Sequence, residues 1–192
     1  MIREEFFPTS IYGKDIQLDN NKLAEDIIAW SNKDPGVSKT NFKGWHSTTD
    51  MQTKLEYKTL VDEIILASKE VFKEEFLDRE PVMGNMWANI NPTGAANDPH
   101  IHPNSHFSGV YYINTNPKCG VLKITDPRPG VQSVMPIKKP GELPKRLWRD
   151  AFIHPIPGRL VIFPAWLWHS VETNESDKLR ISVSFNIIQQ GF

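Results

Sequence analysis

The residues best suited to chemistry lie between Asp98 and Tyr112, a stretch that holds three of the six histidines. His100 and His102 stand two positions apart. In an extended segment side chains alternate faces, so positions i and i+2 point the same way and can grip one ion, and imidazole suits iron, zinc, copper or nickel. Asp98 falls on that same face. A loop of solvated histidines beside a turn-forming proline would give the same local pattern, so the rest of the chain has to decide. In the segment Arg180 to Ile188, Arg180, Ser182, Ser184 and Asn186 share one face and Ile181, Val183, Phe185 and Ile187 the other. If the apolar face packs against a neighbouring layer, the polar face looks inward, where an arginine calls for an anion. A half-exposed edge strand would alternate in the same way. His169 follows the apolar run Leu160 to Trp168 and sits where a turn re-enters a buried sheet.

These residues need a frame. From the N-terminus, Phe6 to Tyr12 reads as a short strand ending near Gly13. Asp19 or Asn20 can cap a helix running to about Trp30, with Asp34-Pro35-Gly36 as its stop. From about Leu55 to Leu77, Tyr57, Leu60, Val61, Ile64, Ile65, Ala67, Val71, Phe72 and Phe76 recur at helical spacing, a stripe that needs a flat surface to cover. Residues 41–50 read as polar and irregular, with His46 a surface or packing histidine. After Pro81 the pattern changes to short strands: 86–90, 100–102, 107–113, 121–125, 132–135, 151–154, 160–163, 169–172 and 180–188. Residues 136–150 read as an exposed insertion. The expected fold is mainly β with N-terminal helices: a double-stranded β-helix, a jelly-roll or cupin-like barrel, with the helices packed on one sheet. One domain is expected over 1–192, with 1–80 as helical support and 83–190 as the barrel core.

Composition narrows the function classes. Lysine plus arginine number 22 against 23 acidic residues, and a net charge of -1 offers no electrostatic reason to expect nucleic acid or an anionic membrane. The single cysteine, Cys119, excludes an intrachain disulfide framework and thiolate metal clusters. No signal-peptide pattern opens the chain, and the longest apolar run is too short to span a bilayer. A cytoplasmic protein is expected, its partners a small-molecule or peptide substrate and, at most, a second copy in a homodimer.

The ordered set His100-x-His102, Ser108 to Tyr112, Gly158 to Phe163, His169 and Arg180-x-Ser182 resembles the iron(II)- and 2-oxoglutarate-dependent dioxygenases, over about residues 83–190. The prolyl and aspartyl/asparaginyl hydroxylases are recognisable relatives. His169 lies 69 residues after His100 and Arg180 a further 11 on. The resemblance implies iron(II) held by His100, His102 and His169, and 2-oxoglutarate held by Arg180, Ser182 and Tyr112. It also implies hydroxylation of a substrate with release of succinate and carbon dioxide. His102 stands where the superfamily has a carboxylate, so Asp98 is the alternative third ligand. Pro99 can turn the chain and take Asp98 off the shared face, which favours His102. Tyr111 is the alternative to Tyr112, and Gly120 falls behind that tyrosine at a familiar distance. His106 and His154 read as structural, Asp126 and Arg128 as a structural ion pair in preference to a substrate contact at the barrel mouth, and Trp166 and Trp168 as walls of the site. Two other readings stand beside this one: a three-histidine cupin-type enzyme without 2-oxoglutarate, against which Arg180-x-Ser182 argues, and a metal-free binding module. Because imidazole must be neutral to ligate, metal binding is expected to weaken as pH falls through about 6.5.

Overall fold

The computed structural model describes residues 1–128, 130, 137 and 139–192. The strand expected at Gln132 to Met135 lies outside the described residues. Among the described residues, eleven strands and two α-helices follow in chain order: β1 (Tyr12–Asp15), α1 (Asn20–Ser31), β2 (Asn41–Phe42), β3 (Trp45–His46), α2 (Lys58–Glu74), β4 (Pro81–Asn91), β5 (Ala96–His100), β6 (Phe107–Asn114), β7 (Leu122–Thr125), β8 (Asp150–Ile153), β9 (Arg159–Pro164), β10 (His169–Val171) and β11 (Arg180–Gln189).

Two antiparallel sheets result, ordered β1-β9-β6-β11-β4-β3 and β2-β5-β10-β7-β8. From β4 to β11 the chain crosses from one sheet to the other at every step except β7 to β8, which pair as neighbours in the smaller sheet, the winding of a double-stranded β-helix, so the jelly roll expected from strand spacing is the fold. β11 is the spine of the larger sheet. It pairs with β4 from Arg180 opposite Asn91 to Gln189 opposite Pro81, and with β6 along its other edge.

The alternation in β11 divides the molecule into layers. Ile181, Val183, Phe185 and Ile187, none more than 1% exposed, join Leu23 and Ile27 of α1 and Leu60, Ile64, Val71 and Phe72 of α2 in one apolar layer. Fully burying such a side chain contributes about 1.5–3 kcal/mol, so this layer fixes the register of β11. A smaller apolar cluster, Tyr112, Leu122, Ile124, Val161, Phe163 and Leu167, lies between the sheets. On β6, Tyr111 and Ile113 face the helices while Tyr112 faces inward.

Several expectations need correction. The first strand is Tyr12–Asp15, set by antiparallel pairing with β9 and by Arg159, whose Nε donates to Asp15 at 2.8 Å; Gly13 lies inside it rather than ending it. Asp19 is the N-cap of α1, accepting from the Lys22 amide at 3.0 Å. The second helix begins after a 3-10 turn at Leu55–Tyr57 and ends at Glu74. Phe76 therefore leaves the stripe, with φ 54 and 95% exposure. Residues 41–46 are not irregular: β2 pairs with β5 at the edge of the smaller sheet and β3 with β4 at the edge of the larger. One short strap thus spans the open side of the sandwich.

Candidate metal and cosubstrate site

Strand pairing brings the first two histidines together. His169 of β10 lies directly opposite His100 of β5, and their ring centroids are 4.3 Å apart. His102 arrives by another route than the one expected. β5 ends at His100, and His102 sits in the following loop, held where its backbone amide donates to the Ala165 carbonyl at 2.9 Å. Its ring centroid is 4.9 Å from that of His100 and 5.0 Å from that of His169. The Nε2 atoms of His102 and His169 are 3.2 Å apart, and one ligating nitrogen from each of the three rings lies within 4.8 Å of the others. Two donors bound side by side at ~2.0–2.1 Å from a metal are ~3 Å apart, so the spacing suits a shared ion.

Backbone carbonyls fix the tautomers. The Nδ1 of His100 pairs with the Asp98 carbonyl at 2.6 Å and that of His169 with the Leu167 carbonyl at 2.8 Å. A carbonyl oxygen only accepts, so each Nδ1 carries the proton and each Nε2 keeps a free lone pair. Burial lowers the pKa of all three rings. His102 is pushed down to about 3 by burial and then by His169 and His100, and His169 to about 4 by burial and then by His100. For His100 the fall is opposed by the bond to the Asp98 carbonyl and by the Asp98 charge. The cluster is held neutral, the form that ligates a metal.

Asp98 lies elsewhere. Between the pairs His169 with His100 and Val171 with Asn97, β10 advances two residues while β5 advances three, a bulge beside Pro99. The bulge breaks the alternation. Asn97 and His100 line the inner cavity, whereas Asp98 is exposed and lines a shallow outer groove with Lys118, Glu172 and Glu175.

The cavity that the histidines face has a volume of about 440 Å³ and runs between the sheets to Arg180, Ser182 and Tyr112. Arg180 is only 2% exposed. Its Nη1 donates to the Cys119 carbonyl and to the Glu172 carbonyl at 3.3 Å, but its Nη2 is buried with no partner among the described residues. Burial pulls the guanidinium below its usual pKa, yet arginine keeps its charge in proteins. A buried cation with a free donor is costly unless an anion meets it, and a carboxylate supplies the geometry a guanidinium prefers. Ser182 lies directly opposite Tyr112 across β11 and β6, placing two hydroxyls beside that charge. Burial drives the Tyr112 phenol well above its ordinary pKa, so it stays a donor. Tyr111 donates to Asn20 at 2.7 Å, on the helix side of the sheet.

Other residues of the cavity were not singled out in the sequence. Asn85, Trp87, Asn89 and Asn91 line it from β4, and Lys39, Thr40 and Thr49 from the strap and its flanks; His46, expected as a surface or packing histidine, is 5% exposed and lines the cavity with them. Strict alternation with the buried Met86, Ala88 and Ile90 was the available signal for the β4 set. Trp87, 8% exposed, walls the site between His46, stacked on it at 5.4 Å, and His102 at 5.7 Å. The tryptophans expected there, Trp166 and Trp168, are 54% and 51% exposed. Each neighbours an inward residue, Leu167 or His169, and so points out. His106 accepts from the Gln189 amide at 3.2 Å and packs on Phe192; His154 is exposed. Arg128 pairs with Asp126 at 2.6 Å.

Fold and sequence comparisons agree on what surrounds this site. The chain is similar to a prolyl-4-hydroxylase from Pseudomonas putida, at 15% identity and a TM-score of 0.66, with 95% of this chain and 94% of that one covered. It is similar to a prolyl hydroxylase from Trichoplax adhaerens in complex with a hypoxia inducible factor peptide fragment, at 13% identity and 0.64, over 94% and 84% of the two chains. It is also similar to HygX from Streptomyces hygroscopicus with nickel and 2-oxoglutarate bound, at 9% identity and 0.64, over 96% and 84%. At these identities the likeness is one of fold. No curated protein matches the sequence. A family model described as "Putative 2OG-Fe(II) oxygenase" matches residues 85–186, more than half of the 192. That span takes in all three clustered histidines and Arg180, and the chain belongs to this family of iron(II)- and 2-oxoglutarate-dependent oxygenases.

Proposed function

We propose that the protein hydroxylates a C–H bond of a small polar substrate, with His100, His102 and His169 holding iron(II) and with Arg180, Ser182 and Tyr112 holding 2-oxoglutarate. One observation carries the reading: three neutral imidazoles converge in a cavity that also contains a buried guanidinium nitrogen without a partner among the described residues. Two of the similar structures are titled as prolyl hydroxylases, which supports hydroxylation as the outcome. When bound, the iron supplies oxygen activation coupled to conversion of 2-oxoglutarate to succinate and carbon dioxide.

The chain's own residues supply position and dryness. The carbonyls of Asp98 and Leu167 hold two imidazoles in the ligating tautomer and aim them. Arg180 meets the far carboxylate of the cosubstrate through charge-assisted hydrogen bonds, with Ser182 and Tyr112 adding neutral ones. Phe163, Leu122, Val110 and Trp87 line the cavity with apolar surface that keeps bulk water from the reacting centre.

The test is an anaerobic titration of the iron(II) protein with 2-oxoglutarate, followed by substrate-dependent succinate release and mass spectrometry of the product. The expected results are a metal-to-ligand charge-transfer band and a product carrying one added oxygen atom. Bound iron without the band overturns the cosubstrate assignment; a band with an oxidised but oxygen-free product overturns hydroxylation.

A further inference from the structure

The cavity has a second half, beyond the three histidines and Arg180, Ser182 and Tyr112. Its walls come from β4, the outer part of β11 and the strap, and their chemistry is selective. Among the described residues no aspartate or glutamate lines the cavity, and its only lysine or arginine besides Arg180 is Lys39. The remaining polar surface is amide and hydroxyl. Asn186 donates to Asn85 at 2.8 Å and accepts from Ser108 at 2.7 Å, and Asn89 donates to Ser184 at 3.1 Å. These bonds use up part of each group and leave the Asn85 amide nitrogen and the Asn89 amide oxygen without a partner among the described residues.

His46 adds a directed acceptor. Its Nδ1 pairs with the Ser47 carbonyl at 2.6 Å, so that nitrogen carries the proton and Nε2 presents a lone pair. Stacking on Trp87, 8° from parallel, holds the ring plane. Lys39 and His46 both precede residue 85, where the family match begins, so they belong to a wall that the shared core does not supply.

We propose that this half of the cavity is the substrate subsite, and that it selects a small carboxylic acid carrying an N–H or O–H donor and no positive charge. The proposal rests on the oxygenase reading above. Lys39 at the strap meets the carboxylate, His46 and the Asn89 oxygen accept from the donor, and the Asn85 nitrogen donates to a carbonyl or hydroxyl. A cationic substrate would find the like charge of Lys39 and, among the described lining residues, no carboxylate to pair with. An apolar one would strand the amides.

Calorimetric titration of the nickel(II) protein saturated with 2-oxoglutarate tests this without turnover. Three probes share one skeleton: N-acetylserine, its uncharged methyl ester, and the cationic serine methyl ester. Wild type is expected to bind N-acetylserine best and the cation not at all. Lys39→Glu should weaken N-acetylserine by about ten-fold, the reach of one exposed charge pair turned repulsive, and leave the methyl ester unmoved. His46→Phe keeps a ring on Trp87 but removes the acceptor, and should weaken both acetylated probes several-fold. Equal binding of the three probes, preference for the cation, no binding of any, or a Lys39→Glu variant that binds like wild type would each overturn the substrate class. An unaltered His46→Phe would remove His46 from the subsite. The iron(II) charge-transfer band of the wild type separates the two levels: if it is absent the oxygenase reading fails, and if it is present while the charge preference is missing only the subsite fails.

Discussion

Each imidazole of the cluster contributes one ligating nitrogen, so truncating any of the three leaves a pair, which holds a labile metal poorly. His100→Ala and His169→Ala should reduce iron(II) binding to background with circular dichroism unchanged, and His102→Ala should cost far more affinity than Asp98→Ala. Anaerobic iron titration measures this, and iron loss confined to Asp98→Ala would remove His102 from the ligand set. Arg180→Met deletes the free donor and should weaken 2-oxoglutarate by about two orders of magnitude, since bonds to charged groups contribute ~1.5 to 3 kcal/mol each, with little change in iron affinity. The charge-transfer titration reads it; an unaltered midpoint would assign the anion to another residue. Burial also revises the expected pH response. With His102 held to about 3 and His169 to about 4, the ligating forms persist below the ordinary value near 6.5. His100 is shifted in the same direction, so iron(II) uptake should weaken only below that pH, which a pH series of the same titration checks. The three histidines and Arg180 were legible in the sequence because their spacing is local or ordered. Lys39, His46, Asn85 and Asn89 were not, because nothing in a polar loop or a mixed strand says which cavity it will face before the sheets are placed.

At the level of elements, strand alternation was the most readable signal. The faces of β11 and the inward turn of Tyr112 follow from a period of two together with one buried layer. The bulge at Pro99 and the exposure of Trp166 and Trp168 depend instead on where pairing slips or a turn ends, which one strand's sequence does not specify. The loop before β7 shows how an element can serve the site without touching a ligand. Gly120 has φ +80, and a Cβ there would lie 2.2 Å from the Glu172 carbonyl oxygen and 2.9 Å from Nη1 of Arg180. Both carbonyls that seat Arg180 belong to this contact or adjoin it. Gly120→Ala should therefore lower stability by about 1–3 kcal/mol, through left-handed strain and a forced backbone shift, and weaken 2-oxoglutarate more than iron. Thermal unfolding and the two titrations distinguish this from a general loss of fold, in which both affinities would fall together.

For the whole molecule, the buried imidazoles link stability to pH. Their folded-state pKa values lie below the unfolded value near 6.5, so the unfolded chain takes up protons first as the solution is acidified. The stabilisation is therefore complete above about pH 6.5 and is lost as pH falls towards the folded-state values of about 4 for His169 and about 3 for His102. Urea midpoints of the metal-free protein should decline across that window, and should decline less when all three histidines are glutamine; parallel slopes would place the acid sensitivity elsewhere. Iron(II) and 2-oxoglutarate bind only the folded chain and should raise the midpoint by mass action. The placement of β11 has a consequence for how the protein is made. β4 and β6 both hydrogen-bond to it and not to each other, so during synthesis the centre of the larger sheet stands open for some seventy residues of further chain after β6 is complete. Two unpaired strand edges, and the gap that β11 will fill in the apolar layer under the helices, stay open through that interval, the condition in which nascent chains recruit chaperones or aggregate. The same late segment carries Arg180, so ribosome-bound or prematurely terminated chains have the three histidines but neither a finished sheet nor a seat for the cosubstrate.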